Sequence, residues 1–309
     1  MPIVLGLASS HAPGMFATPE QWPQIHKGLT AGLPQPPEIA LETPEVIGSY
    51  VQRIKKGFAA LRQQIEECRL DALVIVGDDQ EEVFSSACNP TLAVFVGETM
   101  SGSTSISWIG QKRSENHIQL TGHPEIGRLI AEGLLARDFD PALMSEIKAM
   151  GRPEGGLSHA FTRVARAVGL HDTHLPVVPI LLNCYHPPLP SAARCYALGK
   201  ALADIFAMRP ERIGLYGSGG LSHCPLGPRA GWVDEPLDRW VLERLRNGET
   251  AQLQNLFTFD SDTLRSGTGE IRSWIVPAGA FEGVKATVVD YMPARHTVTG
   301  LGFAYWQSN

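Results

Sequence analysis

Five short segments carry side chains able to hold a metal ion or move a proton. They are His11 in SSHAPG, the run Asp78, Asp79 and Gln80 in VGDDQEE, His159 in GLSHAF, His223 in GSGGLSHCPLG, and Glu270 in GTGEIRSWIV. Imidazole ligates borderline metals and also exchanges protons near neutrality. Carboxylates add hard oxygen donors. Singly, each histidine also fits a hydrogen-bonded turn residue. Glu270 also fits a first-turn acid favoured by the helix dipole, and Asp78 and Asp79 also fit solvated caps beyond a strand. Three histidines placed at strand ends or in Gly-rich turns and converging on one sheet edge favour a chemical site. The glycines before His223 permit close backbone approach. No GK[ST] follows them and GSGGLSH is not GxGxxG, so nucleotide binding is set aside.

Such residues need elements to present them. The apolar run Ala72 to Val76 stops at Gly77 and delivers Asp78, Asp79 and Gln80 side by side, as a buried strand of an α/β protein ends where ligands collect. Further strands are predicted over 2–8, TLAVFVG, THLPVVPILLNCY, RIGLYGSGGLSH and GLGFAYW. Val51, Ile54, Phe58, Leu61 and Ile65 recur at helical spacing. HPEIGRLIAEGLLARD, SAARCYALGKALADIFAM, PLDRWVLERLRNGE and GEIRSWIVPAGAF also read as helices. This alternation predicts one α/β domain over 1–309, a central mixed sheet flanked by helices on both faces. Residues 14–45, rich in Pro and Gly, read as a long surface loop and candidate lid.

Composition sets bounds. The 309 residues are 43% hydrophobic and 19% charged, with a formal charge of −6. These are values of a soluble globular chain, and they give no support for nucleic-acid binding. No apolar stretch approaches a membrane span of roughly 20 residues. The start MPIVLGLASSHAPG has no basic region of a signal peptide. Cys68, Cys88, Cys184, Cys195 and Cys224 are scattered and odd in number. The expectation is a cytoplasmic protein with reduced thiols.

SSHAPG, GHPEIG, NCYHPPLPSAARCYALGKAL, GSGGLSHCPLGPRAGWVDEPLDRWVLERL and GEIRSWIVPAGAF together resemble the LigB-like class III extradiol ring-cleavage dioxygenases, the family of the catalytic subunit of protocatechuate 4,5-dioxygenase. The likeness keeps one order from about residue 3 to 306 and is weakest over 14–45. It implies an α/β LigB-like fold and a non-haem Fe(II) held by two histidines and one glutamate, with Mn(II) or another divalent ion as the alternative. It implies a metal-dependent extradiol dioxygenase that opens a catechol-type ring with O2. By position, the first histidine ligand falls on His11 and the glutamate on Glu270. The catalytic histidine falls on His223, and a second pocket histidine, near substrate and O2, on His159.

The remaining histidine ligand falls on Gln80, the one departure in the metal set. Its amide oxygen is neutral and a weaker donor than imidazole. Asp78, Asp79 or a water held by Gln80 are the other occupants the sequence leaves open. Two carboxylates with one histidine would favour harder ions such as Mn(II) or Mg(II). The departure also leaves room for a lyase or hydrolase acting on a phenol, or for a non-catalytic partner subunit. A substrate carrying a carboxylate or polar arm would meet His186 and Arg229, although Arg229 equally fits a structural salt bridge. The family implies a homo-oligomer, and a small companion chain or segment 14–45 over the pocket.

Overall fold

The structure is a computed structural model that describes residues 3–308. Its strands are β1 (Ile3–Ser9), β2 (Ala72–Gly77), β3 (Leu92–Phe95), β4 (Thr99–Ser103), β5 (His117–Thr121), β6 (Ala142–Met144), β7 (Val177–Leu182), β8 (Ile213–Ser218), β9 (Thr287–Ala294) and β10 (Thr299–Gln307). Its α-helices are α1 (Trp22–Thr30), α2 (Pro44–Cys68), α3 (Pro124–Leu135), α4 (His159–Ala167), α5 (Ala192–Phe206), α6 (Glu235–Asn247) and α7 (Ile271–Ala280). The strand expected over 2–8 is β1, residue 2 lying outside the described residues.

Eight strands form one sheet in the order β6-β3-β7-β2-β8-β1-β10-β9. The central four, β7, β2, β8 and β1, are parallel. β3 and β10 run antiparallel to their inner neighbours, which makes the sheet mixed. The parallel strands read as unbroken apolar runs because both faces are covered. In β2, Ala72, Val74 and Val76 face the core under α3, α5, α6 and α7, while Leu73 and Ile75 face the core under α2 and α4. The period-two alternation of a strand therefore feeds two cores.

Segment 14–45 is not the loop expected from its prolines and glycines. Short 3-10 turns at Pro13–Phe16, Pro19–Gln21 and Pro37–Leu41 flank α1. Trp22, Ile25 and Leu29 fall on one face of α1 and are buried. Ile25 and Leu29 pack with Ile106 and Val298. Pro23 sits in the first turn, where a missing N–H costs no helical hydrogen bond. The breakers that suggested a loop cluster instead at 31–37, beyond Ala31 with its left-handed φ of 50°. Four further elements had no sequence expectation: the β4–β5 hairpin, helix α4 and the edge strands β6 and β9.

Candidate active site

Because β1, β2, β7 and β8 are parallel, their carboxyl ends open on one edge of the sheet. β1 runs on to His11, β2 to Asp78 and Gln80, β7 to Tyr185, and β8 to Gly220 and His223. Glu270 stands at the amino end of α7, and His159 opens α4 behind the capping hydroxyl of Ser158. A cavity of about 400 Å³ is lined by His11, Gln80, His159, Tyr185, His223 and Glu270. The five residues expected as ligands or proton carriers thus meet in one place.

Hydrogen bonds fix how the imidazoles point. Ser218 donates its hydroxyl to the carbonyl of Ala160 at 2.5 Å, so its oxygen accepts from His11 Nδ1 at 3.0 Å. The Nε2 lone pair of His11 is then free, 3.5 Å from Glu270 Oε2 and 3.6 Å from Asp78 Oδ1. Burial drives the His11 pKa down to about 3 against the pull of Glu270, so the ring is neutral, the form that ligates. His159 donates Nδ1–H to Glu82 at 2.8 Å, and its ring lies edge-on to His11 with centroids 4.9 Å apart. His223 donates Nδ1–H to the carbonyl of Leu221 at 2.8 Å and turns Nε2 towards Glu270 Oε1 at 3.3 Å.

Glu270 is the hub. Its Oε1 accepts from Tyr185 at 2.5 Å and from the Gln80 amide at 3.1 Å, and its Oε2 accepts from the Gly220 N–H at 2.5 Å. Burial opposes its charge, yet His223 and the hydrogen bond from Tyr185 outweigh this and hold its pKa below the usual range. Burial, then Glu270, raises the Tyr185 phenol, which keeps its proton to donate. Asp78 is fully buried and neither carboxylate oxygen has a hydrogen-bond partner. One donor atom each from His11, Asp78 and Glu270 lie within 4.8 Å of one another. Two buried carboxylates facing an imidazole lone pair are a donor set that matches a divalent cation.

His186 and Arg229 do not join this cavity. Asn183 Oδ1 accepts from the His186 N–H at 3.0 Å, and Asn183 donates to the His186 carbonyl at 2.6 Å, which folds the turn so that Tyr185 enters the cavity and His186 a neighbouring one of about 480 Å³. Arg229 stacks on Trp232, 5.7 Å from the ring centroid, beside a third cavity that shares only His223 with the first. The cations that do line the first cavity are Arg113, Arg152 and Arg163. Arg163 is buried, which lowers its pKa to about 10 against the pull of Glu82.

Sequence reasoning passed over Tyr185, Glu82 and the three arginines. Tyr185 had a signal, since it is the last residue of the predicted strand THLPVVPILLNCY. Glu82 sits in DDQEE, two residues past Gln80. The arginines had none, because each reaches the cavity from a different element. Asp79, one of the candidate ligands, is occupied elsewhere: its carboxylate accepts from the Val83 and Phe84 N–H groups at 2.9 and 3.0 Å.

The family model for the catalytic LigB subunit of aromatic ring-opening dioxygenase matches residues 29–302. Gallate dioxygenase of Pseudomonas putida is 29% identical over 163 residues, 51% of this chain and 45% of that protein. A 2,3-dihydroxyphenylpropionate/2,3-dihydroxicinnamic acid 1,2-dioxygenase of Photorhabdus laumondii is 25% identical over 64% of this chain and 56% of its own length. The Comamonas testosteroni protein of that name is 27% identical over 72% of this chain and 64% of its own. The matched part of this chain thus spans about half the length of these relatives. The crystal structure of protein JW3007 from Escherichia coli K12 shares the fold, with a TM-score of 0.53 at 17% identity, covering 97% of this chain and 99% of that one.

Proposed function

We propose, for a chain that belongs to the family of the catalytic LigB subunit of aromatic ring-opening dioxygenase, that it opens the ring of a catechol-type substrate with O2 in an extradiol reaction dependent on a divalent metal. The convergence of His11, His159, His223 and Glu270 on one cavity carries this reading. His11 and Glu270 would hold the metal, with a third donor from the end of β2. Bound Fe(II) would supply adjacent open positions for a catecholate and O2 and a path for electrons from the catecholate to O2.

The chain's own groups do the rest. Nε2 of His223 takes the proton of a catechol hydroxyl and returns it after ring opening, its ring fixed by the Leu221 carbonyl. His159, locked to Glu82 through Nδ1, offers Nε2 on the His11 side of the cavity. Tyr185 positions the Glu270 carboxylate. Leu29 of α1 forms part of the wall, so segment 14–45 serves in cis as the cover.

Arg113 and Arg152, with Arg163 behind them, give one side of the cavity three guanidinium groups against the single carboxylate of Glu82. That side suits a substrate arm bearing a carboxylate, which arginine binds in two-point fashion. The names of the Photorhabdus and Comamonas relatives, catechols with an acid side chain, fit the same reading.

Anaerobic reconstitution with Fe(II), then O2 uptake with 2,3-dihydroxyphenylpropionate and with unsubstituted catechol, tests it. Uptake is expected, and His11→Ala or Glu270→Ala should abolish it. Arg113→Met or Arg152→Met should raise KM for the acid by about tenfold or more, the value of a charge-assisted pair, and leave KM for catechol unchanged. No uptake across a panel of catechols by the iron-loaded protein would end the dioxygenase reading.

A further inference from the structure

We infer that the third protein ligand of the metal is Asp78, with Gln80 acting as a hydrogen-bond donor to the ligand Glu270 and not as a ligand; this rests on the metal-dependent reading of the cavity. The position that the family assigns to a second histidine falls on Gln80, so the donor has moved two residues back along the chain, to the first residue beyond β2.

Four observations support the move. Asp78 is fully buried, and both of its carboxylate oxygens lack any hydrogen-bond partner. In that position the carboxyl group is charged only where a cation meets it, and without one it keeps a proton. Its carbonyl accepts from the Ser158 hydroxyl at 3.0 Å, which anchors the backbone, while the side chain faces His11 Nε2 at 3.6 Å. The neighbouring acid is engaged, since Asp79 accepts from two backbone N–H groups. Gln80 turns its amide nitrogen to the site, donating to Glu270 Oε1 and to the Tyr185 oxygen, both at 3.1 Å, and an N–H that donates is not a ligand.

The exchange alters the electrostatics of the site. Two carboxylates and one neutral imidazole bring two negative charges to a divalent cation, where two imidazoles and one carboxylate bring one. A harder donor set follows, and with it a narrower gap between Fe(II) and Mn(II) affinity. Gln80 takes the supporting place that outer hydrogen-bond partners of metal ligands occupy.

The test is Mn(II) binding, read by calorimetry and by electron paramagnetic resonance on chelator-stripped protein. The parent should bind one Mn(II). Asp78→Asn should weaken that binding by more than about 100-fold, and Gln80→Ala by about tenfold, as for loss of an outer partner. A melting scan adds a sign that a merely structural role would not give. Metal-free Asp78→Asn should melt no lower than the metal-free parent, because an amide of the same shape replaces a buried carboxyl group that makes no hydrogen bond. Mn(II) should raise the melting temperature of the parent and of Gln80→Ala, but not of Asp78→Asn. Should that variant fail to fold, Asp78→Ser gives the same contrast. Parent-like affinity in Asp78→Asn overturns the assignment, as does an equal loss in Gln80→Ala or an absence of Mn(II) binding by the parent. Mn(II) binding in the expected order with no O2 uptake on any catechol keeps the ligand set and removes the reaction. O2 uptake that persists in Asp78→Asn does the reverse.

Discussion

At the scale of single residues, three histidines of one cavity each have one ring nitrogen fixed by a different kind of partner: a hydroxyl for His11, a carboxylate for His159 and a backbone carbonyl for His223. The last also depends on two glycines. A Cβ on Gly267 would lie 2.1 Å from His223 Cδ2, and one on Gly220 would lie 2.6 Å from Cε1, so the imidazole is sandwiched against bare backbone. Gly267→Ala should therefore push the ring out of line. A displacement near 1 Å in a reacting group costs about 100-fold in rate. The expected result is a fall in kcat of that order with Mn(II) affinity within a few-fold of the parent, because the proposed ligand set does not include His223. An unchanged kcat would show that the ring needs no such seat. His11, His159, His223 and Glu270 were legible in the sequence because each sits in a short turn with glycine or serine beside it. Asp78 was legible only as one of several candidates, since choosing among Asp78, Asp79 and Gln80 needs the hydrogen bonds that engage the other two.

At the scale of elements, apolar runs announced β1, β2, β3, β7, β8 and β10, and helical spacing announced α2, α3, α5, α6 and α7. The β4–β5 hairpin was hidden because its strands, TMSGS and HIQLT, are short and half-exposed. Helix α1 was hidden by the breakers that follow it. What ties elements together here is often polar. Asp238 in the first turn of α6 accepts from the Ser222 N–H and hydroxyl at 2.7 and 2.9 Å and from the Tyr291 hydroxyl of β9 at 2.8 Å. It thereby joins α6 and β9 to the turn that carries His223. Burial, only partly offset by these donors, pushes its pKa from the ordinary 3.8 up to about 7. The folded protein then holds this proton more tightly than the unfolded chain. Its contribution to stability is full below about pH 4 and is lost as pH rises through about 7. Asp238→Asn removes that titration. In urea unfolding, the stability of the variant relative to the parent should improve by a few kcal/mol between pH 5 and 8. A gap between the two that is constant over that range would mean that Asp238 is ionised throughout.

At the scale of the whole molecule, the sheet and its two cores form a rigid base, and the cavity of His11, His223 and Glu270 lies where that base meets α1, the proposed cover. Leu5, Leu7, Leu73, Ile75 and Tyr216 are fully buried in one core, and Val74, Val76, Ile180 and Leu215 are buried in the other. α1 anchors its first residue, Trp22, in the former core and rests otherwise on a small cluster made by Ile25, Leu29, Ile106 and Val298. Few buried apolar contacts mean a low cost of local opening, so α1 should open without the sheet. Hydrogen exchange should show amides of α1 exchanging well before those of β2 and β8. Leu29 is 5% exposed and also lines the cavity. Leu→Ala at a buried site costs about 2–5 kcal/mol, so Leu29→Ala should speed α1 exchange by roughly 30-fold or more and leave β2 and β8 at parental rates. It should also raise KM for a catechol, since the cover would spend less time closed. Acceleration spread evenly over the sheet would show instead that α1 and the two cores open as one unit.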